Sequence, residues 1–374
     1  MPEKSVKVLL TGGGTGGHVF PGIVIAEEIR RREPNAKILF VGTRRGLESK
    51  VVPRLGYEIE YVDVRYFERS FSPRNIVTAY KAFASVLGAR RIISRFKPDV
   101  VVGTGGYVSG PVVLAASLAQ IPTLIHEQNA FPGLTTRLLA RRVDIVAVSH
   151  SEAVARVGAA AKAVVTGHPV RREFFETSRA EARRSLNLKA KDRLVLVVGG
   201  SGGAEKINQV TLEAAPAIVG RPGIILMHVT GSRYYDWVSR EREKLPLRPE
   251  QAQRYQLADF IHNIPVAMAA CDLIVARSGG MVHEITAAGR PSLLIPSPNV
   301  TDDHQLHNAR AMAAQGAAIV VEEKDLNAQK FAREILAVLE DARRLDDMAA
   351  AAKNMGRPEA GSKLAELILK MAKK

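Results

Sequence analysis

Residues 7–29, KVLLTGGGTGGHVFPGIVIAEEI, constrain the fold most, because an apolar run, a glycine cluster and a helical pattern follow one another without a gap. The apolar run at 8–10 is typical of a strand buried on both faces, and the last part spaces its apolar residues as a helix does. The glycines leave the backbone bare, so N–H groups at the helix start can approach an anionic or hydroxyl-rich ligand. His18 ends the loop, beyond the carboxyl end of the strand, where open parallel sheets bind their ligands.

The glycine loop alone leaves the ligand open. Its glycines at positions 12, 14 and 17 satisfy G-x-G-x-x-G, the dinucleotide pattern, which also needs an acidic residue roughly 20 positions later to hold a ribose. The second predicted strand is followed by Gly-Thr-Arg-Arg at 42–45 instead. No carboxylate is present there, although the arginines keep an NADP-dependent oxidoreductase possible. On spacing alone His18 is equally well an ordinary solvated or capped loop histidine.

The composition predicts a globular protein of roughly two domains, since 374 residues are 46% hydrophobic and 24% charged. The single cysteine, Cys271, excludes an internal disulfide and fits a reducing compartment. The apolar run before the glycines is too short for a signal peptide, so we expect a cytoplasmic protein. A net charge of +15 favours anionic partners, whether nucleic acid, lipid headgroups or phosphorylated substrates.

Strand-like and helix-like segments alternate through the whole chain, which indicates α/β domains with doubly wound parallel sheets. Further glycine turns follow strands at 103–111, 199–203 and 276–280. The alternation pauses between 170 and 190, the predicted domain junction, and two similar halves would leave a cleft suited to a ligand. The strands are predicted at 7–10, 37–41, 57–62, 99–103, 123–126 and 145–148, and at 193–198, 224–229, 256–259, 273–276, 292–295 and 318–321.

Residues 65–97 carry eight basic side chains against one acidic, interleaved with apolar ones. This pattern suits a surface that rests in the interface of an anionic bilayer without spanning it. An amphipathic helix that packs its apolar face on its own sheet explains the pattern equally well. The predicted membrane patch consists of Phe71, Arg74, Ile76, Tyr80, Lys81, Phe83, Arg90 and Arg91.

The chain has neither a P-loop motif nor an Asp-x-Asp pair, so the charge of a leaving diphosphate must be met without those devices. The SGG turns at Ser201 and Ser278 offer backbone N–H groups and helix N-termini instead. Glu284 lies about a turn into the following helix. A carboxylate there can accept hydrogen bonds from a ribose diol, or it can simply be a first-turn glutamate that the helix dipole favours. His304 and Gln305 suit sugar hydroxyls, or ordinary helix capping nearby.

Six motifs occur in order: TGGGTGGH (11–18), GGYVSGP (105–111), HEQN (126–129), GGSGG (199–203), ARSGG with HE (276–284) and DHQ with NA (303–309). With them the chain resembles the bacterial N-acetylglucosaminyltransferases of glycosyltransferase family 28, which convert lipid I to lipid II in peptidoglycan synthesis. The resemblance implies a GT-B fold of two Rossmann-like domains facing across a cleft. Residues 1–170, with a C-terminal helix at 358–374 packing back, would bind acceptor and membrane, and residues 171–357 would bind UDP-GlcNAc.

The resemblance also implies site residues for an inverting transfer to the C4 hydroxyl of MurNAc. His18 would be the general base, with Glu127 as a second candidate. Glu284 would bind the ribose, Phe260 and Ile261 the uracil, and Ser201 would lie at the diphosphate. The implied contacts of UDP-GlcNAc are Thr15, Gly16, Gly17, Asn129, Arg171, Ser201, Phe260, Ile261, Met281, Glu284, His304 and Gln305.

The resemblance implies no metal site and no required cofactor, although a non-essential divalent ion stays open. Its partners would be UDP-GlcNAc, lipid I, anionic phospholipid of the inner leaflet and the cell-wall and division machinery, without nucleic acid. The protein would be peripheral, on the cytoplasmic face of the plasma membrane. Three positions depart from the family: Gly202 replaces a glutamine, Val282 a threonine, and His304 stands where some members have glutamine.

The rivals are a UDP-GlcNAc 2-epimerase, a GT-B transferase with a soluble acceptor, and an NADP-dependent oxidoreductase. A non-enzymatic basic module would explain the charge but not the paired glycine turns.

Overall fold

The computed structural model describes residues 5–64, 74–158, 162–200 and 202–373, with the backbone only at 74–83. The chain divides into two compact units. The first domain comprises Met1–Val170 and Arg357–Lys374, and the second comprises Arg171–Gly356. Each domain is built on one parallel sheet, so the predicted α/β fold class is confirmed.

The first domain contains a seven-stranded sheet. Its strands are β1 Lys7–Gly12, β2 Lys37–Gly42, β3 Glu58–Tyr61, β4 Val100–Gly105, β5 Thr123–Glu127, β6 Ile145–Val148 and β7 Ala163–Val165. They lie in the order β3-β2-β1-β4-β5-β6-β7, with every neighbouring pair parallel. Valine, isoleucine and leucine fill the central strands, which are buried on both faces as parallel strands require. Only β7 was not predicted, because its three residues are no more than partly buried.

Helices cover both faces of this sheet. Ile23 and Ile29 pack with Val8 and Leu10 on one face, whereas Leu9 joins the cluster on the other face. Burial of these side chains stabilises the domain by about 1.5–3 kcal/mol for each large one. The helices are α1 Gly16–Arg32, α2 Glu48–Arg54, α3 Arg74–Phe96, α4 Ser109–Leu118, α5 Leu134–Leu139 and α6 Val154–Val157.

The second domain repeats the architecture with six strands. They are β8 Arg193–Val198, β9 Ile224–Val229, β10 Tyr255–Ala258, β11 Leu273–Ala276, β12 Ser292–Leu294 and β13 Ala318–Val320. Their order is β10-β9-β8-β11-β12-β13, again all parallel. The helices are α7 Glu173–Glu176, α8 Arg179–Ser185, α9 Glu205–Gly220, α10 Tyr235–Glu243, α11 Pro249–Arg254, α12 Ile264–Ala270, α13 Met281–Ala288, α14 His304–Ala314, α15 Ala328–Leu339 and α16 Ala342–Met355. All twelve predicted strands are present, each within two residues of its predicted ends.

The last helix, α17 Ala360–Ala372, belongs to the first domain and packs against α1. Leu364 and Ile368 enter the same cluster as Ile23. The two helices approach closely because Gly361 has no side chain, since a Cβ there would lie 3.0 Å from Val24 Cγ1.

Candidate active site

The strand order reverses between β1 and β4 in the first domain and between β8 and β11 in the second. The crevice beyond the carboxyl ends of strands at such a reversal is where doubly wound sheets bind ligands. In both domains the glycine turns predicted from the sequence follow these strands.

The two glycine loops of the first domain touch. Gly13 donates its N–H to Gly105 O at 3.4 Å, and a Cβ on Gly106 would lie 2.3 Å from Gly13 O. Gly105 and Gly106 have φ of +108° and +79°, a region that other residues rarely adopt. The pattern GTGG at the end of β4 therefore serves the approach of the first glycine loop.

Glu48 fixes the first loop and was not predicted. Its buried carboxylate accepts hydrogen bonds from Gly14 N at 2.9 Å, Thr43 N at 2.9 Å and Thr43 Oγ1 at 2.8 Å. A Cβ on Gly13 or Gly46 would lie 2.4 or 2.1 Å from this carboxylate. Because the carboxylate already holds the Gly14 N–H, the loop does not offer that donor to a pyrophosphate, which weakens the NADP alternative.

His18 lies where both glycine loops meet. Its Nδ1 is 3.3 Å from the Thr104 carbonyl oxygen and 3.1 Å from Gln128 Nε2. The ring has room because Gly105 has no side chain, as a Cβ there would lie 2.4 Å from Nδ1. Thr15 is the exposed N-cap of α1, its side chain makes no capping hydrogen bond, and Gly16 and Gly17 open the helix. The structure thus brings these four predicted residues together.

Glu127, the second candidate base, lies buried at the end of β5 with both carboxylate oxygens engaged. Oε1 accepts from Asn129 N at 2.9 Å and Asn129 Nδ2 at 3.1 Å. Oε2 accepts from Gly133 N at 2.9 Å and Thr136 Oγ1 at 2.6 Å. Four donors on one carboxylate suit a residue that shapes the loop and orients Asn129 better than one that takes a proton from a substrate.

In the second domain, Ser201 lies outside the described residues. The glycines around it are shaped for a tight turn, with φ of +92° at Gly200 and +73° at Gly203. A Cβ on Gly203 would lie 2.1 Å from Thr230 O, whereas one on Gly202 would meet no atom within 4 Å. The departure from the family at Gly202 therefore lies at a position where the structure does not require glycine.

The loops after β11 and β12 are tied together by side chains. Ser278 Oγ donates to Gln305 O at 2.8 Å, and Asn308 Nδ2 donates to Ser278 O at 3.1 Å. Gln305 Oε1 accepts the Ser297 N–H at 2.9 Å. The amide oxygen of Gln305 is thus engaged by the backbone, which leaves its NH₂ as the group suited to a sugar hydroxyl.

His304 follows two residues in left-handed backbone conformation, Asp302 at φ +53° and Asp303 at +45°. Aspartate tolerates this region better than most residues, and such strain is concentrated at functional sites. His304 Nδ1 lies 2.8 Å from the Thr301 carbonyl oxygen. A carbonyl can only accept, so the proton of neutral His304 lies on Nδ1.

Arg277 is a second residue that was not predicted. Its guanidinium donates to Ile295 O at 3.1 Å and to Pro296 O at 3.3 Å, and it forms an ion pair with Glu323. Arg277 lies in the loop after β11, and through these contacts it holds the loop after β12 in place. Only the adjacency to the SGG turn could have pointed to it.

Glu284 lies in the first turn of α13, which begins at Met281. Burial raises the pKa of Glu284 to about 7, against the lowering effect of the Arg171 charge. Arg171 also stacks on Phe174, with its Cζ 5.1 Å from the ring centroid. The charge of Arg171 thus acts on Glu284, and a desolvated carboxylate is suited to accept hydrogen bonds from a diol.

Phe260 and Ile261 lie in the loop after β10. Phe260 is 50% exposed and packs edge-on against His262, with centroids 5.2 Å apart. Ile261 is half-buried beside it. An exposed aromatic ring next to an aliphatic side chain offers a flat apolar surface to a base.

Only part of the predicted membrane patch can be located. Arg90 and Arg91 are exposed on α3, and Leu87 between them and the helix start is 42% exposed. Phe71 lies outside the described residues, and Arg74, Ile76, Tyr80, Lys81 and Phe83 lie in residues 74–83, for which only the backbone is described. The opposite face of α3 packs Ala89, Ile92 and Ile93 on the sheet. The second half of α3 is therefore also an amphipathic helix that packs its apolar face on its own sheet, which was the alternative interpretation.

Among the described residues, no group of three or more His, Cys, Asp or Glu side chains is placed to hold a metal ion. Within the same residues, no helix combines the length and apolarity needed to cross a membrane.

Two doubly wound domains, each with paired glycine loops at its strand reversal, define the class of two-domain proteins with the GT-B fold. Residues 8–148 match the glycosyltransferase family 28 N-terminal domain, and residues 194–364 match the family 28 C-terminal domain. The chain belongs to glycosyltransferase family 28.

Several curated relatives carry the name UDP-N-acetylglucosamine--N-acetylmuramyl-(pentapeptide) pyrophosphoryl-undecaprenol N-acetylglucosamine transferase. The protein of that name from Acetivibrio thermocellus is 43% identical, over 97% of both chains. The one from Caldanaerobacter subterraneus subsp. tengcongensis is 44% identical, over 97% of this chain and 99% of its own. Among solved structures, MurG of Acinetobacter baumannii is 27% identical with a TM-score of 0.76, covering 98% of this chain and 99% of its own.

Proposed function

We propose that this protein transfers GlcNAc from UDP-GlcNAc to the C4 hydroxyl of MurNAc in lipid I, and so forms lipid II. The observation that carries the proposal is the similarity along 97% of the chain to transferases whose name states this donor and acceptor. The meeting of both glycine loops at His18 supports it.

The reaction is a single inverting displacement. The C4 oxygen of the acceptor forms a bond to C1 of GlcNAc as the bond from C1 to the UDP oxygen breaks. His18 takes the proton of the attacking hydroxyl, and a positioned general base contributes about 10²–10⁴-fold in rate. Glu127 acts indirectly, by orienting Asn129 toward the donor sugar.

The second domain holds the donor. Glu284 and Arg171 bind the ribose side, Phe260 and Ile261 receive the uracil, and backbone N–H groups near Ser201 meet the diphosphate. Further donor contacts are Thr15, Gly16, Gly17, Met281, His304 and Gln305. No step needs a metal ion, so a divalent ion would be at most an auxiliary.

The protein acts at the membrane surface as a peripheral protein. A lipid-linked acceptor requires this, and the exposed Arg90 and Arg91 provide positive charge toward an anionic inner leaflet. The rest of the patch, at residues 71–83, supplies apolar side chains by its sequence.

The decisive experiment incubates the protein with radiolabelled UDP-GlcNAc and a short-chain lipid I analogue, with and without EDTA. Label in the lipid-linked disaccharide, in both conditions, is expected. Release of free ManNAc without acceptor would show the 2-epimerase instead, and a saturable NADPH fluorescence change would show the oxidoreductase.

A further inference from the structure

The surroundings of His18 Nδ1 carry an inference about Gln128, a buried residue at the end of β5 that has no role in the site described so far. The Thr104 carbonyl oxygen lies 3.3 Å from Nδ1, and the Gln128 side-chain amide lies 3.1 Å from it. Gln128 is 8% exposed and Thr104 2%. Both contacts thus reach one ring nitrogen from the protein interior.

The two neighbours differ in what they can do. A carbonyl oxygen only accepts, so the Thr104 contact is favourable when Nδ1 carries a proton and repulsive when it carries a lone pair. A glutamine amide can present either its oxygen or its NH₂ to the same point. In the structure the amide nitrogen Nε2 of Gln128 faces Nδ1. Because the Thr104 carbonyl requires a proton on Nδ1, we turn the amide end for end, which is the same shape to within one atom type, so that its oxygen accepts from Nδ1–H. Both neighbours then accept from the ring, and the lone pair of neutral His18 lies on Nε2.

The opposite tautomer would disable the base. With the proton on Nε2, the lone pair would sit on Nδ1, which is enclosed by Thr104, Gly105 and Gln128 and cannot reach a substrate hydroxyl. The difference between an active and an inactive His18 is therefore the position of one proton.

We propose that Gln128 is a positioning residue that, together with the Thr104 carbonyl, keeps the proton of neutral His18 on Nδ1 and leaves Nε2 as the proton acceptor. The proposal rests on the proposed function, in which His18 is the base. In the reaction the acceptor O–H bond breaks and an Nε2–H bond forms, and the two carbonyl oxygens then stabilise the charge of the imidazolium.

Three buried titratable side chains on the elements next to His18 are neutral or are engaged by their own loops. His126 interacts electrostatically with His18, and burial lowers the pKa of His126 to about 4, so His126 is neutral at physiological pH. Glu127 is engaged by four donors of its own loop, and Glu48 by the loop before His18.

The test uses Gln128→Met, which keeps the length and removes the hydrogen bond, with Gln209→Met on the exposed face of α9 as control. Two measurements are made on the full chain: ¹⁵N NMR of the histidine ring nitrogens, and the pH profile of kcat. We expect neutral His18 of the native protein to carry its proton on Nδ1, and the Met variant to show a mixture. Turnover should fall by roughly tenfold, less than the ~10²–10⁴-fold expected for loss of the whole base because part of His18 keeps the active tautomer, while the KM for UDP-GlcNAc is unchanged.

Gln128→Glu serves as the conservative variant and also stands in if Gln128→Met does not fold. It keeps an acceptor oxygen but adds a negative charge, so the Nδ1–H tautomer should persist and the acid limb of the kcat profile should move to higher pH. An Nε2-protonated His18 in the native protein, or identical ring-nitrogen spectra in native protein and Gln128→Met, would overturn the proposal. If instead His18→Ala kept full turnover, the base assignment would fail, while the NMR result on Gln128 would stand.

Discussion

At the residue scale, the side chains proposed to bind a ligand were easier to predict than the side chains that hold the surrounding loops in place. His18, Glu284 and Gln305 are part of short motifs, so the sequence marks them directly. Glu48 and Gln128 act on partners 34 and 110 positions away, Gly14 and His18, and no local pattern signals such a contact. These supporting contacts exist only once the sheet has brought the loop ends together.

Glu284 should make stability depend on pH. Its pKa is raised to about 7 in the folded protein, above the ordinary 4.5, so the folded state binds the proton more tightly. The contribution of Glu284 to the free energy of unfolding is therefore fully present below pH 4.5 and is lost as the pH rises through 7. The loss amounts to at most about 3 kcal/mol, and it is smaller because water reaches the half-buried side chain. Glu284→Gln should thus be more stable than the native protein at pH 8, with little difference near pH 5.

Denaturant unfolding of both proteins at the two pH values measures this effect. Donor titration of the same samples should show weaker UDP-GlcNAc binding by the variant at pH 8. An equal free energy of unfolding at pH 8, with unaltered donor affinity, would remove Glu284 from the ribose site.

Glu48→Gln should loosen the first glycine loop. The native carboxylate accepts hydrogen bonds from backbone N–H groups. The glutamine would place its own NH₂ donor opposite one of them, and a buried donor without an acceptor costs about 1–3 kcal/mol. We expect that loss in the free energy of unfolding, together with lower turnover. A variant as stable and as active as the native protein would mean that the loop does not need the carboxylate.

At the element scale, the strands follow from their apolar runs, and all twelve predicted ones are present. The contact between the loops after β1 and β4 could not be predicted, because it depends on strand order. The sequence shows only that glycines recur, and the structure shows that Gly105 and Gly106 serve the approach of Gly13 and His18.

Gly106→Ala should disrupt this contact. Its new Cβ would lie 2.3 Å from Gly13 O in a backbone conformation with φ +79°, so the loops must separate. Gly202→Ala is the matched control, because a Cβ there meets no atom within 4 Å. Thermal unfolding should show a lower Tm for Gly106→Ala only, and equal values for the two variants would refute the role of the glycine.

The exposed arginines of α3 should contribute to membrane binding. Each basic side chain near an anionic surface is worth about 1 kcal/mol, so reversing Arg90 and Arg91 together to glutamate should weaken vesicle binding at least tenfold. Reversal of Arg343 and Arg344, exposed in the second domain, is the control of equal charge change. Co-sedimentation with phosphatidylglycerol vesicles at low salt measures both, and equal losses would indicate a general charge effect and no patch.

At the scale of the whole molecule, one logic accounts for both domains. Two parallel sheets reverse their strand order beside a pair of glycine loops, β1 with β4 and β8 with β11. The alternation of elements predicts this repetition, and the resemblance of six motifs predicts the chemistry. The net charge of +15 alone would have fitted nucleic acid as well as lipid.

The central claim is that His18 takes the acceptor proton, and single-turnover transfer by His18→Ala tests it most directly. With UDP-GlcNAc prebound and the lipid I analogue in excess, the rate of lipid-linked product formation should fall at least ~10²-fold, with the Kd for UDP-GlcNAc unchanged. A variant that forms product at the native rate would contradict the account.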